Sequence, residues 1–321
     1  MLNDQILETI NPGWLQVSAF VLGAFVGSFL NVCISRMPKG ESILFPPSHC
    51  PLCGHRIRFY DNIPILSFLW LGARCRYCRG PISLQYPLVE LVGGMIGLLL
   101  FRRYGISVDF AGYFVFSAMI ITVSGIDMVH RIIPDRISLP GIGAGLLFSL
   151  LTPRMSLLDS LIGTVIGGGS LLVVTWGYSG FVKLKYRITG TSHRKEMAKS
   201  LQELTIEELR REASLYGIDA AALQSRKELV TAIGEAKGEG MGGGDVKLLA
   251  MIGSFLGGWR PILFVILIAS FLGSVVGIPL MLAKGRDSKY AIPFGPFLGA
   301  GSIVYLLWGA EMIRWYFGLG R

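Results

Sequence analysis

Two aspartates occupy positions where a charged side chain is costly. Asp245 follows the glycine run Gly242–Gly244 and directly precedes a strongly apolar segment. An ionised carboxylate at the edge of hydrocarbon is rarely retained without a function, and glycines let backbone or substrate approach it closely. Asp127 ends another apolar segment, where the helix dipole disfavours a negative charge. The structural alternatives are pairing of Asp127 with Arg131 or His130, and an N-cap role for Asp245.

Two carboxylates at one membrane face could share a proton. Close carboxylates do not both ionise easily, so one of them stays protonated. The ionised one would take a proton from water, and the protonated one would donate to a peptide carbonyl, with the roles belonging to the pair. Lys247 could tune the pair or hold an anionic group, or it could extend to the interface. Asp135, after Pro134, most simply caps the next helix. The pattern predicts an intramembrane aspartyl protease.

Four cysteines form a second candidate site. Cys50 and Cys53 are separated by two residues, as are Cys75 and Cys78, and 21 residues separate the two pairs. In a reducing compartment this spacing favours a structural Zn²⁺ held by four thiolates over two disulfides. A redox knuckle, or one whose cysteines only pack, is the alternative. Cys33 lies inside the first apolar segment and is most simply a packing residue.

The composition is that of a polytopic membrane protein. The chain has 321 residues, of which 52% are hydrophobic and 16% charged, and its mean hydropathy is +0.56. This excludes a soluble globule and predicts an all-α fold with about eight transmembrane helices. The second, fourth and sixth apolar segments are short for a bilayer core of about 30 Å. The segments are Leu15–Ser35, Tyr86–Phe101, Phe110–Ile126, Ile137–Leu151, Leu157–Val182, Val246–Gly257, Pro261–Ala283 and Pro293–Trp315.

The distribution of Lys and Arg predicts the orientation. Four connections hold 23 of the 30 basic residues, namely 36–85, 127–136, 183–245 and 284–292. The positive-inside rule then places these connections in the cytoplasm and both termini outside. Under this topology Asp127 and Asp245 both lie at cytoplasmic ends of spans. The net charge of +9 mostly reports this bias and is weak evidence for nucleic-acid binding.

A polar stretch over 191–239 has helix signals of its own. Thr205 with Glu208 and Ser225 with Glu228 have the spacing of capping boxes. Apolar residues on helical spacing and a glycine stop follow the first box: Leu209, Ala213, Tyr216 and Gly217. The stretch resembles SAP-like or Rho-N-terminal-like helix-extension-helix modules. Its mixed charge argues against DNA or RNA, which leaves a protein contact or an inert inserted module.

Several of these motifs together resemble the type IV prepilin peptidases, which are GxGD-type intramembrane aspartyl proteases. The glycine-flanked Asp245, the Asp127 segment ending at Asp135 and the paired cysteine loop carry the resemblance. So do the segments Gly27–Pro38 and Tyr86–Glu90. The resemblance covers most of the chain, although the stretch over 191–239 is long for the family and reads as an insertion.

The resemblance implies a multi-pass protease of the bacterial inner membrane whose active site faces the cytoplasm. Its substrates would be the prepilins of type IV pili and the pseudopilins of type II secretion, cut after a glycine, with Asp127 and Asp245 as the catalytic pair. Family members with the cysteine loop commonly also N-methylate the new amino terminus with S-adenosylmethionine. Glu90, an acid entering a span, is the first candidate residue for that activity, and a helix-interface hydrogen bond is its alternative.

The predicted organisation has five parts. They are a first transmembrane segment (1–35), a cytoplasmic zinc-binding loop (36–85), transmembrane helices two to five (86–190), an inserted cytoplasmic module (191–239) and transmembrane helices six to eight (240–321). Besides its substrates and membrane lipid, a protein contact through the module is the expected partner. The rival functions are a peptidase without methyltransferase activity, a zinc-stabilised membrane scaffold that recruits partners through the module, and a transporter with an aspartate proton relay.

Overall fold

The computed structural model is built from helices joined by short connections. It describes residues 13–189, 204–215, 225–238, 243–283 and 293–318. These residues form no strands, and only two isolated β-bridges occur, His49 with Arg56 and Arg74 with Pro81. The helices are α1 (Gly13–Arg36), α2 (Leu66–Trp70), α3 (Gln85–Tyr104), α4 (Val108–His130), α5 (Asp135–Ser149), α6 (Leu157–Thr189), α7 (Ile206–Leu215), α8 (Arg226–Gly238), α9 (Gly243–Leu256), α10 (Trp259–Ala283), α11 (Gly295–Val304) and α12 (Ala310–Gly318). A π-helical turn, Tyr305–Gly309, joins the last two.

Five helical segments in the described ranges are long and apolar enough to cross a membrane. They correspond to the first, third, fifth, seventh and eighth predicted spans, so the helical class is confirmed. The other three predicted spans are helices α3, α5 and α9, of 20, 15 and 14 residues. At 1.5 Å per residue, α5 and α9 are only about 21–23 Å long. The count of eight spans therefore stays a prediction.

Glycines allow α1 and α3 to pack almost backbone to backbone. A Cβ on Gly23 would collide with the carbonyl oxygen of Gly93, and one on Gly27 would lie 2.8 Å from the Cα of Glu90. Close approach through small residues is the common way to gain packing energy where both helices are as apolar as lipid. The two helices therefore pack as an antiparallel pair.

Helix α9 is enclosed by protein rather than by lipid. Its residues 248–255 are all buried, and it lies against α5 and α6. Glycines again permit the contact, because a Cβ on Gly253 would collide with the carbonyl of Gly163. The aromatic rings of Phe116 and Phe148 pack on Phe255 at its end. Enclosure by neighbouring helices is consistent with a helix shorter than the hydrocarbon core.

Both capping boxes predicted for the stretch over 191–239 form. The Glu208 carboxylate accepts from the backbone N–H of Thr205 at 2.7 Å, and the Thr205 hydroxyl accepts from the Glu208 N–H at 3.3 Å. Ser225 and Glu228 make the same exchange. Helices α7 and α8 pack through a small core of Leu209, Ala213, Leu229 and Ile233. Tyr216 and Gly217 lie outside the described residues.

Replacing Gly23 by alanine should destabilise the bundle. The added methyl group meets backbone atoms of α3 that cannot rotate away, so we expect a loss of about 1–3 kcal/mol in the free energy of unfolding. Gly169→Ala is the matched control, because a Cβ there meets nothing within 4 Å. Unfolding temperatures in detergent should be lower for Gly23→Ala than for Gly169→Ala, and equal values would contradict the packing.

Candidate active site

The Asp127 carboxylate is buried and is bound by the start of another helix. It lies in the last turn of α4, and the residue is 5% exposed. The backbone N–H of Gly295, the first residue of α11, donates to its Oδ2 at 3.0 Å. The free N–H groups and positive dipole end of a helix N-terminus suit a carboxylate. Arg131 also acts on Asp127 electrostatically, so the expected ionic neighbour is present but the hydrogen bond comes from α11.

Gly295 is a site residue that the sequence motifs did not identify. A Cβ at this position would lie 2.6 Å from Oδ2 of Asp127. Only glycine therefore lets the α11 backbone reach the carboxylate. The available signal was the Gly295–Pro296 pair at the start of the last apolar segment, since proline is favoured in the first turn of a helix.

Asp245 lies in the first turn of α9 and is partly buried. The helix begins at Gly243, so Asp245 is inside the first turn rather than at the N-cap that was its structural alternative. A Cβ on Gly244 would lie 2.9 Å from the Cβ of Ile133, so this glycine lets the connection after α4 approach α9. Gly242 lies outside the described residues.

The two aspartates are close enough for the charge of Asp127 to act on Asp245. They come from helices far apart in the chain, α4 and α9, and α11 contacts both of these helices. The fold thus gathers two carboxyls and one helix N-terminus into a single site. Such a site can hold one shared proton, a water molecule and a polarised carbonyl group.

Lys247 and Asp135 form an ion pair beside the two aspartates. Lys247 Nζ lies 2.7 and 2.8 Å from the two carboxylate oxygens of Asp135, which joins α9 to α5. The expectation that Asp135 caps α5 is wrong, because Pro134 occupies the N-cap and Asp135 follows it. Both partners are partly exposed, so the pair contributes only about 0.2–1 kcal/mol of stability. Its clearer effect is to fix the start of α9 relative to the start of α5.

Glu90 is buried and is engaged in hydrogen bonds. Its Oε2 accepts from the backbone N–H of Ile65 at 2.7 Å, and it also interacts with the Ser28 hydroxyl. Ile65 has a φ of +64° and a ψ of −52°, a backbone conformation that is unusual for a β-branched residue. Glu90 therefore ties the loop before α2 to the α1–α3 pair, which is the helix-interface role considered as its alternative.

The four loop cysteines are gathered as a metal site requires. Their sulfur atoms all lie within 4.8 Å of one another, and those of Cys50 and Cys78 are 3.8 Å apart. Tetrahedral zinc with bonds of about 2.3 Å needs sulfurs about 3.8 Å apart. All five cysteines of the chain are free thiols, with Cys33 buried in α1. The cluster therefore fits one metal ion better than two disulfides.

Two similar turns build the cluster. The N–H groups of Gly54 and Arg79 donate to the carbonyls of Cys50 and Cys75, and both donor residues have φ near +60–70°. Backbone N–H groups of Cys78 and then Tyr77 donate to the Cys75 sulfur and lower the pKa of that thiol to about 7. Hydrogen bonds with the neighbouring cysteine sulfurs help to raise the pKa of the Cys53 thiol to about 11, so the four thiols differ in how readily they lose a proton.

Comparison with known proteins places the chain among described families. Residues 21–104 match the model of the bacterial peptidase A24 N-terminal domain, and residues 114–278 match that of the type IV leader peptidase family. Proteins called "prepilin leader peptidase/N-methyltransferase" are similar to the chain. The one from Xanthomonas campestris pv. campestris is 31% identical, covering 95% of this chain and 96% of its own. The one from Aeromonas hydrophila is 31% identical, with 94% of each covered.

A further protein of the same description, from Myxococcus xanthus, is 35% identical over 84% of this chain and 64% of its own length. No solved structure matches the chain.

The cysteine cluster predicts a bound metal that can be removed by one substitution. Elemental analysis of the purified protein should find a metal that is lost from Cys75→Ser, because three thiolates no longer complete a tetrahedral shell. Cys33→Ser is the control, since Cys33 lies in α1 outside the cluster. Metal retained by Cys75→Ser at the level of Cys33→Ser would refute the four-thiolate site.

Proposed function

This chain belongs to the type IV leader peptidase family, and on that premise we propose that Asp127 and Asp245 are its catalytic pair. The enzyme would be an aspartyl endopeptidase that removes the leader peptide of prepilins and pseudopilins after a glycine. The observations that carry the assignment are the buried Asp127 carboxylate held by the Gly295 N–H at 3.0 Å and the influence of its charge on Asp245, which lies on a separate helix. A membrane scaffold has no need of such a pair, so the site favours catalysis over that rival.

The reaction needs only the pair, one water molecule and the scissile peptide. One carboxylate takes a proton from water as the oxygen attacks the peptide carbonyl carbon, and the protonated carboxyl donates to the carbonyl oxygen. The tetrahedral intermediate then breaks at the C–N bond, and the amine leaves with a proton returned from the pair. The Gly295 N–H holds Asp127 in place during these steps. The Lys247–Asp135 pair supports the site by fixing the starts of α9 and α5.

We propose that the chain also N-methylates the new amino terminus, as the names of its relatives state for them. S-adenosylmethionine would supply the methyl group. No strand, and hence no strand-based nucleotide fold, is present among the described residues. Glu90 accepts a hydrogen bond from the Ile65 N–H, so we assign it the role of positioning the cysteine loop and not a role in methyl transfer.

We propose that the metal of the cysteine cluster is a structural Zn²⁺. Four cysteine sulfurs at tetrahedral spacing are the donor set that zinc takes in closed structural sites. With four protein ligands no position stays open for substrate. The four cysteines would therefore hold the loop over 36–85 in one shape and take no part in chemistry.

The family and the apolar helices make this a multi-pass protein of the inner membrane. We propose eight spans, with α3, α5 and α9 as the short ones, both termini outside and the active site at the cytoplasmic face. The bias of Lys and Arg supports this orientation. The five-part organisation follows from it, with 191–239 as an inserted cytoplasmic module. The exposed described residues of this module carry both signs of charge, which suits a protein contact better than nucleic acid.

Replacing either aspartate should abolish cleavage without unfolding the protein. Incubation with a prepilin and mass spectrometry of the products should show that Asp127→Asn and Asp245→Asn are slower by roughly 10⁴-fold, because each removes half of a catalytic unit. Asp159→Asn is the control, since Asp159 lies near Gly258, beyond the opposite end of α9. Wild-type cleavage by either variant would disprove the pair. The same spectra, with and without methyl donor, distinguish a peptidase alone from the two-activity enzyme.

Gly295→Ala tests the geometry of the site with the aspartates intact. The added Cβ would lie 2.6 Å from Oδ2 of Asp127 and must displace it. A displacement of about 1 Å typically costs on the order of 10²-fold in rate. Gly143→Ala in α5 is the matched control, because a Cβ there meets nothing within 4 Å. Equal cleavage rates for the two variants would contradict a role for the α11 backbone in holding Asp127.

A further inference from the structure

The short helix α2 of the cysteine loop exposes a continuous apolar face. Leu66, Leu69 and Trp70 are 63%, 67% and 88% exposed. Their spacing of three and four residues puts them on one side of the helix. The helix contains no charged residue. A clustered apolar surface of this kind marks an interaction site rather than a face turned to water.

Contacts of Ile65, the residue before α2, show at which level of the spanning helix α1 this short helix lies. Its backbone N–H donates to Glu90, which packs on Gly27 of α1. One turn nearer the end of α1, Asn31 donates to the carbonyl of Tyr86 at 3.1 Å. Ile65 is thus level with the stretch of α1 between Gly27 and Asn31. This stretch precedes the end of α1 at Arg36 by about 7–14 Å, at 1.5 Å per residue.

At that depth the outer surface of α1 is the surface of a membrane span. Phe29 lies in this stretch and Phe25 one turn before it, and both are about half exposed on a helix long and apolar enough to cross the bilayer. Helices that lie in the membrane surface bury their apolar face about 5–10 Å into the boundary between headgroups and acyl chains. Tryptophan is enriched at the same level. The depth of α2 and its exposed residues therefore fit the same environment.

The charge of the loop also suits a lipid surface. Over residues 42–84 the loop carries five arginines and one acid, Asp61, and the proposed Zn²⁺ with its four thiolates adds a net charge of about −2, so a small positive excess remains. Asp61 is itself bound by the Arg76 guanidinium at 2.9 and 3.0 Å. A positive excess beside an apolar helix is attracted to anionic headgroups, by about 1 kcal/mol for each basic residue near the surface. A peptide partner with a basic segment would instead be repelled.

From these contacts we propose that α2 is embedded in the bilayer interface, with Leu66, Leu69 and Trp70 in contact with acyl chains. The cysteine cluster is then seated on the membrane surface and is not a free cytoplasmic domain. Glu90 is the tether, because it holds Ile65 at membrane depth. This inference does not depend on the assignment of the catalytic aspartates.

The test measures the contact of Trp70 with lipid in the full-length protein. Wild type and Trp70→Phe are reconstituted in nanodiscs of phosphatidylcholine and phosphatidylglycerol, and the difference in tryptophan emission isolates Trp70. Phosphatidylcholine brominated near the headgroup end of its acyl chains should quench this difference signal more than lipid brominated near the chain terminus. Aqueous acrylamide should quench it little. Trp14→Phe provides the reference, because Trp14 is exposed in the first turn of a membrane span.

Quenching of Trp70 by brominated lipid to an extent comparable with Trp14 would support the proposal. Quenching by acrylamide without quenching by brominated lipid would overturn it. Loss of the lipid quenching when a prepilin is added would also overturn it, because α2 would then be a substrate-docking face. Leader cleavage by Trp70→Phe, scored in the same nanodiscs, verifies that the variant is folded; if it is inactive, the same difference is measured with Trp70→Tyr.

Discussion

A carboxylate buried at the end of a membrane helix is largely removed from bulk water, and this constraint organises the site. Asp127 is buried at the end of α4 and is bound by the N–H of Gly295 at the start of α11. An unpaired carboxylate in that position would cost several kcal/mol. The start of α11 must therefore lie against the end of α4. Asp245, in the first turn of α9, joins the same site, so three helices meet where the chemistry is proposed.

Glycines make these close helix contacts possible, each at a particular position. Gly295 lets a backbone reach Asp127, and Gly244 lets the connection at Ile133 approach α9. Further from the site, Gly253 brings α9 against α6, and Gly23 brings α1 against α3. In lipid, close packing is a main source of association energy. The glycine content of the chain is thus part of how the aspartates are positioned.

A buried acid helps to bind the cysteine loop to the bundle. Glu90 fixes Ile65, and the turns around the four cysteines place their sulfurs at the spacing of a tetrahedral metal site. Together these contacts give the loop a defined position beside α1 and α3. A loop held at that level presents its apolar helix to the bilayer interface. The same acid therefore connects the membrane helices, the cysteine cluster and the proposed lipid contact.

Local patterns in the sequence were sufficient to predict many features of this structure. The apolar segments predicted helices, the paired cysteines predicted that four sulfurs gather at one point, and the two capping boxes form as their spacing indicates. Each of these depends on neighbours a few residues apart. The glycine-flanked Asp245 and the segment of Asp127 suggested a pair of aspartates for a similar reason, since an acid beside an apolar segment can be recognised from the sequence alone.

Only the tertiary structure could decide which distant groups become partners. The residues next to Asp127 in the sequence do not indicate that Gly295 binds its carboxylate. Nor do the neighbours of Asp135 indicate that it pairs with Lys247 instead of capping a helix. The burial of α9 by protein likewise depends on α5 and α6, so hydropathy alone could not separate it from a lipid-facing span. Hydropathy records the preference of each segment for an apolar environment. It does not record whether lipid or another helix supplies that environment, because both are equally apolar.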